Sequence, residues 1–186
     1  MTFHREAMID WANEHSFRIA LEVPGEAPTD LPNLSNCVRA GGIHYHVGGD
    51  TVEDSLGEST FRLSLPDLVD REFLHQVLLA REDLGSTGVG EGFAVPHVRA
   101  PLVLHIDQPH VGICFLERPL DWGSVDKKPV DTLFVLLSPG IRAHLHLLSR
   151  ISFSLRDETL RTLLSGRAEP DEILARLDML DELIVS

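Results

Sequence analysis

The stretch Gly85–Pro101, which reads GSTGVGEGFAVPHVRAP, places four glycines ahead of a single histidine, His97. Glycine has no Cβ, so it adopts left-handed backbone conformations and lets N–H groups approach an anion closely. Pro96 comes directly before the histidine and restricts the backbone there, because its ring locks φ. The pattern indicates a histidine presented at the end of a shaped loop.

Three interpretations of this loop are open from the residues alone. It is a structural turn, a nucleotide cradle, or the surroundings of a phosphohistidine. A nucleotide cradle is disfavoured because no Gly-Lys-Ser/Thr follows and the glycine spacing does not match Gly-x-Gly-x-x-Gly. A phosphohistidine site fits better: neutral imidazole is a nucleophile, and Arg81 at the end of the preceding helix would stabilise charge on a transferred phosphoryl group.

Outward from the loop, apolar periodicity changes repeatedly between that of a helix and that of a strand. Helical patterns cover LPNLSNCVRA, Val52–Leu63 and the segment capped by Asp67 or Asp70, and later about 141–155, 157–165 and 170–184. The runs IHYHV, GFAVPH, HVGICFLE and VDTLFVLLS look like strands, and the last is apolar enough to lie centrally in a sheet. The sequence predicts an α/β fold, a mixed β-sheet with helices on both faces.

Two regions of organisation are expected. Residues 1–30 hold a short helical pattern, HREAMIDWANEH, and a linker rich in proline and acidic residues, whereas residues 31–186 form the main domain. The phrase FHREAMIDWANEH also resembles the last helix of an excisionase-type winged-helix domain. The formal net charge of −13 argues against nucleic-acid binding by this chain. The absence of a long apolar run argues against membrane insertion, and two isolated cysteines favour a reducing cytoplasm.

The segment LLAREDLGSTGVGEGFAVPHVRAP, with DTLFVLLSP and AHLHLLSRIS after it, resembles a known family. It is similar to the enzyme IIA domain of the phosphoenolpyruvate-dependent phosphotransferase system, mannitol/fructose type, especially its nitrogen-regulatory branch. The resemblance covers about residues 31–180. It implies a mixed sheet flanked by helices, in agreement with the periodicity.

The resemblance implies a set of site residues. His97 matches the phosphorylated histidine of the family, Arg81 the arginine that assists transfer, and His144 the second active-site histidine. The expected phosphoryl-binding loop contains Ser86, Thr87, Gly88, Gly90 and Gly92. The implied donor is an HPr-like histidine phosphocarrier protein, and the transfer uses no cofactor and no metal.

The sequence therefore predicts a phosphocarrier that accepts a phosphoryl group on His97 and has a regulatory output through a target protein. Two alternatives are a phosphorylation-sensing binding module that passes phosphate to nothing, and a sugar-transport enzyme IIA acting with a separate enzyme IIB/IIC permease. A histidine-based metallohydrolase is a third. For that, His44 and His46 are a candidate metal pair, but no third ligand is evident.

Two further expectations concern the C-terminal helices. The spacing of apolar residues predicts one apolar stripe on a helix over residues 141–155. This stripe places His144 towards the sheet and His146 towards solvent. Its members are Ile141, Leu145, Leu148, Ile151 and Leu155. Asp171–Glu172 and Asp181–Glu182 are interpreted as solvated helix faces.

Overall fold

The computed structural model describes residues 31–98 and 106–183. The predictions made for residues 1–30, including the helix, the linker and the winged-helix resemblance, lie outside the described residues. None of the helices in the described part of the chain is long and apolar enough to cross a bilayer.

Helices and strands follow one another as the periodicity predicts. The helices are α1 (Leu34–Gly41), α2 (Val52–Arg62), α3 (Arg71–Asp83), α4 (Ile141–Ser154), α5 (Glu158–Ser165) and α6 (Pro170–Glu182). The strands are β1 (Ile43–Val47), β2 (Gly88–Gly90), β3 (Phe93–Ala94), β4 (His110–Leu120) and β5 (Val130–Leu137). The sequence pattern does not predict the short strand β2, because its two glycines indicate a loop.

The five strands form one mixed sheet in the order β1-β4-β5-β3-β2. Strands β4 and β5 pair antiparallel at the centre, while β1 and β3 run parallel to β4 and β5 respectively. Strand β5 is in the middle of the sheet, as its apolar composition predicts. The hairpin of β2 and β3 forms one edge.

Side chains of the central strands alternate between two separate cores, because successive residues of a strand point to opposite faces. On one face, Cys114 and Leu133 pack in a core that includes α2 and α3. On the other, Phe115 and Phe134 pack in a core that includes α1, α4, α5 and α6. Helices therefore cover both faces of the sheet, and the predicted fold class is confirmed.

Helix starts agree with local capping chemistry. The Asp70 side chain accepts a hydrogen bond from the Phe73 N–H at 2.9 Å and caps α3, and Asp157 does the same for Leu160 at 2.8 Å in α5. Each carboxylate satisfies an N–H group that has no partner within its helix. Helix α6 begins with Pro170 at its first position, where the missing N–H costs nothing.

The expectation for Asp181 is wrong. This residue of α6 is 5% exposed, and its carboxylate accepts hydrogen bonds from the Leu34 N–H at 3.2 Å and the Ser35 N–H at 2.8 Å. It also accepts one from Arg150 of α4 at 2.7 Å. Helix α1, whose Asn33 provides no side-chain cap, is capped from another helix instead. The sequence pattern missed this because Asp181 is charged and next to the exposed Glu182.

Candidate active site

His97 continues the line of β3 along the edge of β5. It forms an isolated parallel bridge with Leu136, and the Pro96 carbonyl accepts a hydrogen bond from the Leu136 N–H at 2.9 Å. The half-buried imidazole places Nδ1 2.7 Å from the Val95 carbonyl oxygen. A carbonyl only accepts, so Nδ1 carries the proton, and in the neutral ring Nε2 keeps its lone pair. The backbone thus selects the tautomer in which Nε2 is the nucleophilic nitrogen.

His144 lies in the first turn of α4 and faces His97. The two ring centroids are 5.3 Å apart, with the planes tilted by 49°. Burial, followed by the neighbouring charges of His97 and Arg81, lowers the pKa of His144 to about 4. The ring is therefore neutral at pH 7 and has one N–H donor and one acceptor nitrogen.

The apolar stripe predicted for α4 is right for Leu148, Ile151 and Leu155, which contact the core, and wrong for Leu145. The buried residues of this helix are Leu147, Arg150, Ile151 and Ser154, whereas Leu145 is 61% exposed. His144 still lies on the buried face, since it precedes Leu147 by three positions and residues three apart are neighbours on a helix. His146, about 200° further round, is partly exposed. The predicted stripe is incomplete because it omits Leu147 and the polar residues Arg150 and Ser154, all of which are buried.

Arg81 belongs to the last turn of α3. Its Nη1 donates a hydrogen bond to the Gly85 carbonyl at 2.8 Å, which fixes the side chain against the turn after the helix. Its positive charge contributes to the lowered pKa of His144, so the guanidinium lies within electrostatic reach of that ring. The structure therefore brings together Arg81, His97 and His144.

The polar groups of Ser86 and Thr87 form hydrogen bonds with other residues of the protein. The Ser86 hydroxyl donates to the Trp122 carbonyl at 2.5 Å. The Thr87 N–H and hydroxyl both donate to the carboxylate of Glu82, at 2.7 and 2.5 Å. The Thr87 carbonyl accepts a hydrogen bond from Val95 at 3.0 Å, two residues before His97. These contacts define the shape of the loop, and direct phosphoryl binding by it stays a prediction.

The three remaining glycines of the predicted loop build the β2–β3 hairpin. At Gly88, a Cβ would lie 2.4 Å from the Ser124 hydroxyl oxygen, so only glycine permits this approach. Gly90 and Gly92 have φ values of +96° and +87° and form the turn. That turn lies at the opposite end of the hairpin from His97, and the five residues from Gly92 to His97 span about 16 Å at about 3.3 Å per residue. The structure does not bring Gly90 and Gly92 to the histidine pair.

The candidate metal ligands and the cysteines in the described part of the chain do not form a second site. The His44 Nε2 lies 3.0 Å from the Gly41 carbonyl oxygen, and residues 31–98 and 106–183 contain no cluster of three His, Cys, Asp or Glu side chains that would hold a metal ion. Burial raises the pKa of Cys37 and of Cys114 to about 12, so both thiols stay protonated.

Two contributors to the site were missed from the sequence, Glu82 and Trp122. Glu82 adjoins Arg81 in an ordinary charged helix end, and an isolated tryptophan such as Trp122 indicates only a packing residue. Trp122 is indeed 3% exposed, but its indole N–H also donates to the Thr87 hydroxyl at 3.2 Å. The sequence offers one signal for this contact: Thr87 follows Glu82 by five residues, across a turn that contains Gly85.

Residues 42–179 match the family model described as phosphoenolpyruvate-dependent sugar phosphotransferase system, EIIA 2. The chain belongs to this EIIA 2 family. The match includes Arg81, His97 and His144, the three residues that converge in the structure.

The relatives of this EIIA 2 chain include nitrogen regulatory proteins and an EIIABC component of a phosphotransferase system. It is 37% identical over 116 residues to the nitrogen regulatory protein of Escherichia coli strain K12, covering 60% of the chain and 66% of that protein. It is 35% identical over 154 residues to the 2-O-alpha-mannosyl-D-glycerate-specific EIIABC component of the same organism, covering 80% of the chain and 23% of that component. The match thus spans just under two thirds of the first relative and about a quarter of the second.

Among solved structures, the nitrogen regulatory protein IIA-Ntr of Neisseria meningitidis shares the fold of this EIIA 2 chain. The TM-score is 0.62 and the identity 26%, and the alignment covers 77% of this chain and 94% of the other. The predicted family is confirmed by the model match, by the relatives and by this structural likeness.

Proposed function

We propose that this EIIA 2 chain is a phosphocarrier that accepts a phosphoryl group on Nε2 of His97. The observation that carries the proposal is the hydrogen bond from His97 Nδ1 to the Val95 carbonyl, which leaves Nε2 as the nucleophile, beside the ring of His144. The donor is a histidine phosphocarrier protein of the HPr type, since the EIIA 2 family is a phosphotransfer component. The transfer takes place in the cytoplasm and needs no metal ion or cofactor.

The step is a displacement at phosphorus. The P–N bond of the donor phosphohistidine breaks, and its electron pair returns to the donor ring. A new bond forms between phosphorus and His97 Nε2, whose lone pair is the attacking pair. The imidazole of His97 gains positive charge, which the Val95 carbonyl stabilises through the Nδ1–H. Catalysis then consists of positioning and of stabilising charge on the three equatorial oxygens.

Three groups are proposed to stabilise those oxygens. The Arg81 guanidinium supplies a fixed positive charge with several donors. His144 stays neutral because burial lowers its pKa to about 4, so it donates a single N–H without repelling the cationic His97 ring. The N-terminus of α4, which begins at Ile141 one turn before His144, adds N–H groups without helical partners and a favourable dipole. Phosphoryl binding by the part of the loop at Ser86, Thr87 and Gly88 is kept as a further proposal.

A regulatory output is proposed for the phosphorylated form, because the first relatives are nitrogen regulatory proteins. The specific observation that favours the transport alternative is the likeness to the EIIABC component over 80% of this chain. In that case a separate enzyme IIB/IIC would accept the phosphoryl group.

Incubation with phosphoenolpyruvate and the general donor proteins tests the carrier role. The chain should acquire a phosphoryl group that is labile in acid and stable in alkali, as expected for a P–N bond. The phosphorylated chain is then mixed with sugar and membrane extract. Transfer to sugar favours the transport role, whereas phosphate retained on the protein favours the regulatory one. A chain that takes up no phosphoryl group would contradict both.

Replacing Arg81 with Ala should slow phosphoryl transfer about 100- to 1,000-fold, the usual effect of removing one donor to a developing charge. The Michaelis constant for the donor protein should change far less, because the charge matters most when the phosphoryl group is in transit. Rapid-quench kinetics with the phosphorylated donor measure both. Arg39→Ala is the matched control, because it changes an exposed arginine side chain of α1. If Arg81→Ala transfers at the parent rate, Arg81 has no role in transfer and is only a charge at the end of a helix.

His144→Ala should impair transfer to His97, while His146→Ala should retain the parent rate. The reason is the geometry of α4, in which only His144 faces the His97 ring. Donor concentration is matched in both assays, and thermal melts establish that both variants are folded. Because the pKa of His144 is about 4, its titration should not affect the parent rate between pH 6 and 8. If His146→Ala is the slower variant, the assumed role of α4 is wrong.

A further inference from the structure

A chain of hydrogen bonds connects the loop before His97 to both His97 and Arg81. Its central residue is Thr87, a polar side chain that is only 5% exposed. The Thr87 hydroxyl donates to Glu82 at 2.5 Å and lies 3.2 Å from the donating indole nitrogen of Trp122. One hydroxyl donor and one acceptor lone pair are therefore both used, and Thr87 is held from two directions.

On one side the chain reaches His97. The position of Thr87 determines the position of its carbonyl, which accepts the Val95 N–H at 3.0 Å. The other end of the same residue, the Val95 carbonyl, accepts the Nδ1–H of His97 at 2.7 Å. A shift of Thr87 thus moves the residue that selects the nucleophilic nitrogen of His97.

On the other side the chain reaches Arg81. The two hydrogen bonds from Thr87 to the Glu82 carboxylate close the turn between α3 and β2. Gly85, inside this turn, donates its N–H to the Glu82 carbonyl at 3.0 Å, and its own carbonyl accepts from Arg81 at 2.8 Å. The same contacts therefore hold the acceptor that orients the guanidinium.

We infer that Glu82, Thr87 and Trp122 are positioning residues for phosphoryl transfer, a network that fixes the His97 tautomer and the Arg81 side chain from behind the site. None of the three needs to touch the phosphoryl group. Trp122 is 3% exposed and Thr87 is enclosed, so their contribution is made through His97 and Arg81. The inference rests on the proposed function, since it names what keeps that site in order.

Thr87→Val tests the network on the full chain, because valine keeps the shape and removes the hydroxyl. The turnover number for phosphoryl transfer from the donor protein should fall about tenfold, the change in rate that losing one ordinary hydrogen bond produces. The Michaelis constant for the donor should stay unchanged. Thr87→Ser, which retains the hydroxyl, should restore most of the rate. Trp122→Phe removes only the indole donor and should lower the turnover number in the same way.

Thr60→Val is the matched control. Thr60 is also fully buried and donates to a backbone carbonyl, that of Gly57 at 2.7 Å, but it lies within α2. The Thr60→Val change should lower stability without affecting the site, so the turnover number of this variant should equal that of the parent.

A second readout does not depend on phosphorylation. Imidazole nitrogen-15 NMR of the parent should show His97 protonated at Nδ1, and the Thr87→Val and Trp122→Phe spectra should show a mixture of tautomers. If both variants keep the parent tautomer and turnover number while the parent is phosphorylated on His97, the inference is overturned and the proposed function survives. If the parent takes no phosphoryl group, the proposed function fails. In that case an unchanged tautomer in both variants would overturn the positioning role as well. A Thr87→Val chain that does not fold leaves Trp122→Phe to decide.

Discussion

His97→Ala should abolish phosphorylation by phosphoenolpyruvate and the general donor proteins. Alanine removes the only attacking nitrogen, and no neighbouring group replaces it in the same geometry. His144 lies in the same site, but it projects from α4 and not from the strand end where His97 forms its bridge with Leu136. Removing an attacking nucleophile usually eliminates turnover rather than reducing it. Phosphate-affinity electrophoresis and intact-mass measurement before and after acid treatment record the result.

His75→Ala is the control for this experiment. His75 lies on α3, with its Nε2 3.0 Å from the Glu53 carbonyl oxygen, and should be labelled like the parent. Stoichiometric labelling that persists in His97→Ala would show that another residue carries the phosphoryl group. The proposed mechanism would then be wrong at its first step.

Asp181→Ala should lower the free energy of unfolding by about 3–5 kcal/mol, the range found when one partner of a buried ion pair is removed. The change leaves the guanidinium of Arg150, 5% exposed, without its carboxylate. It also removes the acceptor of the Leu34 and Ser35 N–H groups at the start of α1. Both losses follow from one substitution, because the Asp181 carboxylate of α6 accepts hydrogen bonds from α1 and from α4. Urea denaturation followed by circular dichroism measures the loss.

Asp178→Ala, on the same helix, is the matched control. Asp178 lies one turn earlier in α6 and pairs with Arg39 of α1, but these side chains are 44% and 43% exposed. Exposed ion pairs contribute about 1 kcal/mol or less, so this variant should remain close to the parent. The double variant Asp181→Leu with Arg150→Met should regain part of the stability, because no charge is left buried. If Asp181→Ala costs no more than Asp178→Ala, the buried pair does not stabilise the fold as described.

Much of the fold was determined by local sequence. The six apolar residues of β5, the apolar run of β4 and the caps at Asp70 and Asp157 depend on neighbours within a few positions. The glycine-rich stretch before His97 likewise predicted a shaped loop and an accessible imidazole. Such features can be recognised from sequence because hydrophobic period and capping are properties of short segments.

Only the tertiary structure decided which polar residues are buried and what they contact. Asp181 caps a helix whose first residue lies 147 positions earlier, and Thr87 meets Trp122 from 35 positions away. Arg150 and Ser154 occupy the buried face of α4, where an apolar stripe was expected. A local pattern treats charged and hydroxyl side chains as solvated, because burial without a partner is costly. Distant chain segments supply partners to Asp181, Thr87 and Arg150, and they meet only when the sheet and its two helix layers assemble.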